Sequence, residues 1–256
     1  MKMTLSCALL FSLSAVSSLS FAAQTLRFGV DPTFPPFESK ASDGSLQGFD
    51  IDLGNAICAQ AKVSCQWVQT GFDSAIPALQ AKKFDAILSA MSMTEKRREQ
   101  VAFSDMLYNT PSALLTPKNS PLTEEVSTLR GKAIGVAQGT IQESYAKAKW
   151  AAQGVNIVSY ANQMEIYPDL VAGRLDATLT NAVSADQGFL TTPEGKNFVI
   201  KATLVDKALL GNGVGIGLRK EDAANLKLIN EALAALHANG TYAQLAQKYF
   251  KFNVYP

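Results

Sequence analysis

The segment Leu79-Gln80-Ala81-Lys82-Lys83-Phe84-Asp85-Ala86-Ile87-Leu88-Ser89-Ala90 returns in the second half of the chain as Leu170-Val171-Ala172-Gly173-Arg174-Leu175-Asp176-Ala177-Thr178-Leu179-Thr180-Asn181. Five of the twelve positions are identical and three more are similar in type. Each copy reads as a helix end, a basic turn, and a buried strand that leaves through a hydroxyl residue. A Gly-Val pair precedes each copy inside another apolar run, in Leu26-Arg27-Phe28-Gly29-Val30-Asp31 and in Ala133-Ile134-Gly135-Val136-Ala137. The recurrence is too widely spaced for a solenoid. It predicts two lobes of like construction, each with helices alternating around a mostly parallel sheet. The alternative is a chance likeness between two βα units.

Downstream of the first copy the chain runs Ser89-Ala90-Met91-Ser92-Met93-Thr94-Glu95-Lys96-Arg97. Thr94 suits a helix N-cap and Glu95 its first turn, which puts Arg97 beside unpaired backbone N–H groups. Hydroxyls, free N–H groups and a forked guanidinium then converge at the carboxyl end of a strand. Such an arrangement grips a carboxylate. Read by itself, the segment is equally a capped helix with a solvated Arg.

Residues 1–22 hold one charged side chain, Lys2, and an apolar, Ser-rich run ending in Ser20-Phe21-Ala22. This is the pattern of an export signal cleaved before Ala23. The apolar part is short for a membrane anchor, and Cys7 comes too early to be a lipid-bearing cysteine. Without Lys2 the chain carries as many basic as acidic side chains, so there is no basic field for nucleic acid. Its length suits one large domain or two lobes of about 100 residues. Cys58 and Cys65, an even pair on an exported chain, read as a short structural disulfide. His237 is the single histidine. It falls in the amphipathic run 233–238 and reads as a surface or packing residue, so no metal site or Cys/His catalytic pair is expected.

Helices are expected at 51–60 capped by Asp50, at 74–81 capped by Asp73, and at 141–150 opened by a Thr140/Glu143 capping box. Two more are expected at 225–236 and 241–250. Gly211-Asn212-Gly213-Val214-Gly215-Ile216-Gly217-Leu218 alternates Gly with apolar residues and reads as a strand closely approached by other backbone. It is not a phosphate loop, because no Lys-Ser/Thr follows.

In open α/β sheets ligands bind beyond the carboxyl ends of the strands. That rule collects Asp31 to Phe37, Phe72, Ser89 to Arg97, Ala137 to Thr140, and Thr180-Asn181. The set offers a carboxylate, a guanidinium, hydroxyls, amides and the faces of Phe34 and Phe72. It can hold both ends of a zwitterion with a cationic tail: Arg97 and two helix starts for a carboxylate, Asp31 for a cation, and the rings around an alkyl or guanidinium stem. Turn chemistry before Pro32 for Asp31, and core packing for the two Phe residues, are the alternatives.

Gly29-Val30-Asp31-Pro32-Thr33-Phe34-Pro35-Pro36-Phe37-Glu38, Gly48-Phe49-Asp50-Ile51-Asp52-Leu53, the run Ile87 to Arg97, and Gly135-Val136-Ala137-Gln138-Gly139-Thr140 resemble the periplasmic solute-binding proteins for polar amino acids. The likeness is strongest to the lysine/arginine/ornithine- and histidine-binding branch. It spans the chain beyond the signal, including Cys58, Cys65 and the ending Tyr249-Phe250-Lys251-Phe252-Asn253. The resemblance implies an α/β, two-lobed periplasmic-binding-protein fold with two crossover hinge strands and a ligand cleft between the lobes. It also implies a periplasmic location and delivery of a small ligand to the membrane permease of an ABC importer. The protein is expected to act as a monomer without a cofactor.

By resemblance, Arg97 clamps the ligand α-carboxylate with help from Ser92 and the Thr140 loop. Ser89 and Thr140 help hold the ligand backbone, Asp31 meets its distal cation, and Phe34 and Phe72 flank its side chain. Ala90, Ala137, Gln142 and Asn181 complete the expected binding set. Lobe I is expected over 23–110 and 208–256 and lobe II over 111–207, with crossings near Thr110-Pro111 and before Gly211.

Two positions depart from the pattern. The family usually has an Asp where this chain has Asn181, there to pair with the α-ammonium, and Ala90 lacks a hydroxyl that relatives often carry. A charge-assisted hydrogen bond contributes roughly 1.5–3 kcal/mol against about 1 for a neutral one. Two ligand readings follow: an ordinary basic amino acid held less tightly, or an opine or other N-substituted derivative. Related folds include enzymes such as cyclohexadienyl dehydratase, but Asp31 is the one charged acid this reading places in the cleft. A sensory ectodomain is a third reading; with no further hydrophobic span it would need a separate membrane partner.

Overall fold

The computed structural model describes residues 24–255. The expected signal peptide over 1–22, its cleavage after about Ala22, and Cys7 lie outside them. Two five-stranded sheets organise the chain. The first has the order Ser64–Gln69, Thr25–Val30, Ala86–Ile87, Gly217–Leu218, Ala102–Phe103. The second has the order Asn156–Tyr160, Ala133–Ala137, Ala177–Asn181, Ser112–Pro117, Phe198–Leu204. Both contain three parallel strands, then a fourth antiparallel to the third, then a fifth antiparallel to the fourth. In each, the fourth strand follows a crossing from the other half. The repeated segments supply the third strand of each sheet.

The repeat extends to single contacts. The Asp85 carboxylate accepts the backbone N–H of Arg27 at 3.1 Å, and Asp176 accepts that of Ala133 at 2.9 Å. The basic neighbour follows too, with Arg27 paired to Asp85 and Lys132 to Asp176. The Gly of each Gly-Val pair has a steric cause. A Cβ on Gly29 would lie 2.4 Å from the Phe84 ring, and one on Gly135 would lie 2.7 Å from Leu175 Cδ1. Phe84 and Leu175 are matching positions of the repeat, so in both halves the chain keeps a glycine where a large side chain lies against the strand.

Each sheet is covered on both faces. Leu26, Phe28, Ala86 and Leu218 join one core with the helices Phe49–Ala61 and Ala223–Ala238, while Ile87 and Phe103 join another with Leu79 and Phe84. In the second sheet Ile134, Val136, Ala177 and Leu179 face one core, and Leu115 and Ala137 face the other. A small antiparallel sheet of Thr33–Phe34, Glu38–Lys40 and Leu46–Gln47 flanks the first half. The Cys58–Cys65 disulfide ties the helix Phe49–Ala61 to the strand Ser64–Gln69.

Several local expectations change. Asp50 does not cap its helix: Gly48, at φ 130°, is the N-cap, and Asp50 sits in the first turn, fully buried. Its carboxylate turns inward to the Ala90 N–H and the Tyr108 hydroxyl instead. Asp73 lies inside a 3₁₀ turn, Phe72–Ser74, that leads into the helix Ala75–Gln80. The Thr140 cap forms, accepting the Glu143 N–H at 3.1 Å, and Glu143 reaches back one residue further to the Gly139 N–H at 2.8 Å. The glycine-alternating run is strand only at Gly217–Leu218. Upstream, Val214 makes isolated bridges to Ser92 and Tyr108, so the crossings are extended segments joined by single pairings. Met side chains crowd Gly213 and Gly215, and the Met93 backbone crowds Gly211.

Candidate functional site

Between the two sheets lies a cavity lined by residues of both halves. All eleven residues of the expected binding set lie on its wall. From the first half, Asp31 follows the strand Thr25–Val30, Phe34 sits on the small antiparallel sheet, and Phe72 opens the 3₁₀ turn. Ser89, Ala90 and Ser92 occupy the loop after Ala86–Ile87, and Arg97 lies on the helix Glu95–Arg98. From the second half, Ala137 ends the strand Ala133–Ala137, and Thr140 caps the helix Ile141–Lys149, which carries Gln142. Asn181 ends Ala177–Asn181. The carboxyl ends of the parallel strands thus face one another across the cavity.

Arg97 is 9 % exposed. The Thr94 hydroxyl accepts its backbone N–H at 3.3 Å, which fixes the short helix. Nη1 donates to the Ser92 carbonyl at 2.7 Å and Nη2 to the Gly139 carbonyl at 3.0 Å, the latter across the cavity. The guanidinium lies 5.3 Å over the Phe72 ring. Neither of its partners is a carboxylate, and burial pulls its pKa down to about 10. A buried guanidinium held only by carbonyls and an aromatic face is a site for an anion.

Asp31 meets the backbone of Phe72. Its Oδ2 accepts the Phe72 backbone N–H at 3.0 Å, and its Oδ1 accepts the Thr33 hydroxyl at 2.8 Å. Burial pushes its carboxyl above the usual range, and the two hydrogen bonds oppose that shift. Phe72 therefore links both poles of the cavity, through its backbone to the carboxylate and through its ring to the cation.

A second acid, Glu38, also lines the cavity, correcting the expectation of Asp31 alone. Its Oε1 accepts the Ser89 hydroxyl at 2.9 Å, while Ser89 Oγ accepts the Asp31 backbone N–H at 3.0 Å. Burial, reinforced by the neighbouring Asp50 carboxylate, raises the Glu38 carboxyl well above its ordinary value.

In the second half Thr140 Oγ1 donates to the Ala137 carbonyl at 2.7 Å besides capping its helix. Its hydroxyl is thus engaged, and what it brings to the cavity is the amide-rich start of that helix. Gln142 Nε2 donates to Ser112 Oγ at 2.9 Å. Asn181 caps the helix Ala182–Ala185: its Oδ1 accepts the N–H groups of Val183 and Ser184, and Nδ2 donates to Thr110 Oγ1 at 2.7 Å. At the position where the family usually sets an Asp against the α-ammonium, the oxygen is thus already doubly used, and the amide has an N–H left to offer.

The cavity wall also includes Thr33, Ile141, Ala161, Asn162 and Gln163, absent from the expected set along with Glu38. Asn162 caps the helix Gln163–Val171 just after the strand Asn156–Tyr160, so the rule that collected the other groups applies to it equally. Glu38 had no such signal, because its strand belongs to the small antiparallel sheet.

The profile of the bacterial extracellular solute-binding proteins, family 3, matches residues 26–252. The chain is 48 % identical to the lysine/arginine/ornithine-binding periplasmic protein of Escherichia coli K12, over 99 % of this chain and 98 % of that one. It is 47 % identical to the histidine-binding periplasmic protein of the same strain, over 99 % and 97 %. Among solved structures, a Salmonella typhimurium periplasmic binding protein with high arginine specificity superposes with a TM-score of 0.83. Their sequences are 34 % identical, over 90 % of this chain and all of that one.

Proposed function

The chain belongs to the bacterial extracellular solute-binding proteins, family 3, and we propose that within it this protein captures a basic amino acid in the periplasm and delivers it to the permease of an ABC importer. One observation carries the reading. A buried guanidinium and a buried carboxylate, neither with a partner of opposite charge in hydrogen-bond contact among the described residues, both meet Phe72 in one cavity, one at its ring and the other at its backbone N–H. Arg97 with the start of the helix Ile141–Lys149 takes the α-carboxylate. Asp31 takes the distal cation, and Phe34 and Phe72 enclose the stem between them.

The moving units of this reading are lobe I over 23–110 with the C-terminal part, and lobe II over the middle. Leu210 packs with the second core, so the return crossing is best drawn at Gly211. A ligand touching both lobes binds the closed form more tightly and shifts the population towards it. The site performs no turnover in this reading. Of the acids on its wall, Asp31 serves the ligand cation and Glu38 is engaged by Ser89.

A second ligand reading is favoured by Asn181. Its free amide N–H suits an acceptor, such as the extra carboxylate of an opine-type N-carboxyalkyl derivative, better than an α-ammonium. Titration calorimetry of the protein without its signal tests both against arginine, lysine, ornithine, histidine and N-carboxyalkyl arginine. The first reading expects a basic amino acid to bind tightest, and the second expects the N-substituted compound. Binding of none of them, or turnover of prephenate or arogenate, overturns the proposal.

A further inference from the structure

Glu38 lies on the cavity wall, yet the capture of a ligand as described above makes no use of it. It is 1 % exposed. Its Oε1 accepts from Ser89, whereas Oε2 is buried with no donor to meet it. Its neighbouring acid is the Asp50 carboxyl. Asp50 is fully buried and already accepts two donors, the Tyr108 hydroxyl at 2.9 Å and the Ala90 N–H at 2.8 Å. Two buried carboxyl groups in contact cannot both carry charge. One proton between them removes the conflict. Asp50, with two donors stabilising its anion, keeps the charge, and Glu38 Oε2 keeps the proton.

That placement fixes a direction for every hydrogen bond up to the cavity. With Oε2 as the donor to Asp50, Oε1 is left as an acceptor, and it takes the single proton of Ser89. The Asp31 N–H occupies one lone pair of Ser89 Oγ at 3.0 Å. What Ser89 has left is one lone pair, beside Asp31. We propose that Glu38, standing as a neutral acid between Ser89 and Asp50, is a positioning residue that makes the Ser89 hydroxyl an acceptor for the cationic end of the ligand. A ligand N–H fits this lone pair and a ligand carbonyl is turned away, so the relay selects a cation over its neutral isostere. The inference rests on the reading that the cleft takes a basic amino acid.

Calorimetry with arginine and citrulline tests it, because citrulline puts a carbonyl oxygen where arginine has an N–H group. Glu38→Gln keeps an oxygen for Ser89 and an N–H for Asp50, so its preference for arginine stays within about 3-fold of the wild type. Glu38→Ala frees the Ser89 proton to meet the citrulline carbonyl, and the arginine-to-citrulline ratio falls by about 10-fold, the size of one hydrogen bond. Ser89→Ala lowers the ratio in the same way and serves in place of Glu38→Ala should that variant not fold. Equal weakening of both ligands in Glu38→Ala, or a Gln variant that behaves like the Ala variant, overturns the proposal. Should the wild type bind another basic amino acid but not arginine, this role for Ser89 falls while the proposed function stands. Should it bind none, both fall.

Discussion

Arg97 Nη2 donates to the Gly139 carbonyl oxygen at 3.0 Å, and this bond spans the two halves of the molecule. The residue that grips the proposed α-carboxylate is thus also a latch between the lobes. The same residue is buried over the Phe72 ring, and its side-chain hydrogen-bond partners are carbonyl oxygens.

Arg97→Met is therefore expected to separate binding from stability. Truncating one side of a buried charge-assisted contact costs about 2–5 kcal/mol, so affinity for a basic amino acid falls by about 30-fold or more. In the open, ligand-free form the guanidinium does not meet the second lobe, so the melting temperature of the free protein stays within a few degrees of the wild type. Calorimetry and thermal unfolding check the two halves of this expectation. Binding retained at wild-type strength rules out the clamp.

Gly139 has φ +73°, and a Cβ there would lie 2.7 Å from the Asp73 Cα in the other half. Gly139→Ala forces the two backbones apart and strains the turn. Each lobe keeps its own core, so the cost falls on closure. Small-angle scattering should show a larger radius of gyration with saturating ligand than in the wild type, and affinity should drop by roughly 10-fold, as for about 1–2 kcal/mol of overpacking. An unchanged closed form would show that the lobes meet elsewhere.

The two-lobe plan was legible because it is written twice. Phe84-Asp85-Ala86 and Leu175-Asp176-Ala177 carry the same strand start, the same aspartate and the same demand for a glycine next door. The cavity wall was legible as far as strand ends and helix caps could mark it, which covers Asp31, Arg97, Thr140 and Asn181. Glu38 and Asp50 were not. Their meaning lies in a contact between a small antiparallel sheet and a helix turn, and Asp50 in sequence is indistinguishable from a cap. The direction of the Asn181 amide was equally hidden, because it depends on Thr110, a crossing residue far away in the chain.

The aspartate shared by the repeats predicts a pH dependence. Burial opposes ionisation of Asp85, but the hydrogen bonds from the Arg27 side chain and backbone, with the charges of Arg27 and Arg219, outweigh it and hold the carboxyl below its usual value. A depressed carboxyl contributes stability above its unfolded pKa of about 4 and loses it as pH falls through the lower folded value. Urea unfolding should thus give constant stabilisation from Asp85 near neutrality and a decline below about pH 4. Asp85→Asn should cost about 1–3 kcal/mol at pH 7 and flatten that part of the decline. A variant that keeps the full acid decline would assign it to other groups.

Asn181→Asp discriminates between the two ligand readings. The exchange is nearly isosteric, and the carboxylate can keep both helix N–H groups, now with the charge that a helix start favours. The Thr110 contact survives by reversal, with the hydroxyl donating where it now accepts. The fold should therefore be indifferent, with a melting temperature within a few degrees of the wild type. Binding should not be. A free basic amino acid gains a charged partner for its α-ammonium, worth roughly 1–2 kcal/mol over a neutral contact, so its affinity rises by about 5- to 30-fold. An N-carboxyalkyl ligand instead meets a like charge where it had an N–H donor, and weakens. If neither ligand responds, the α-nitrogen does not lie at the end of the strand Ala177–Asn181, and the cleft holds its guest in another orientation.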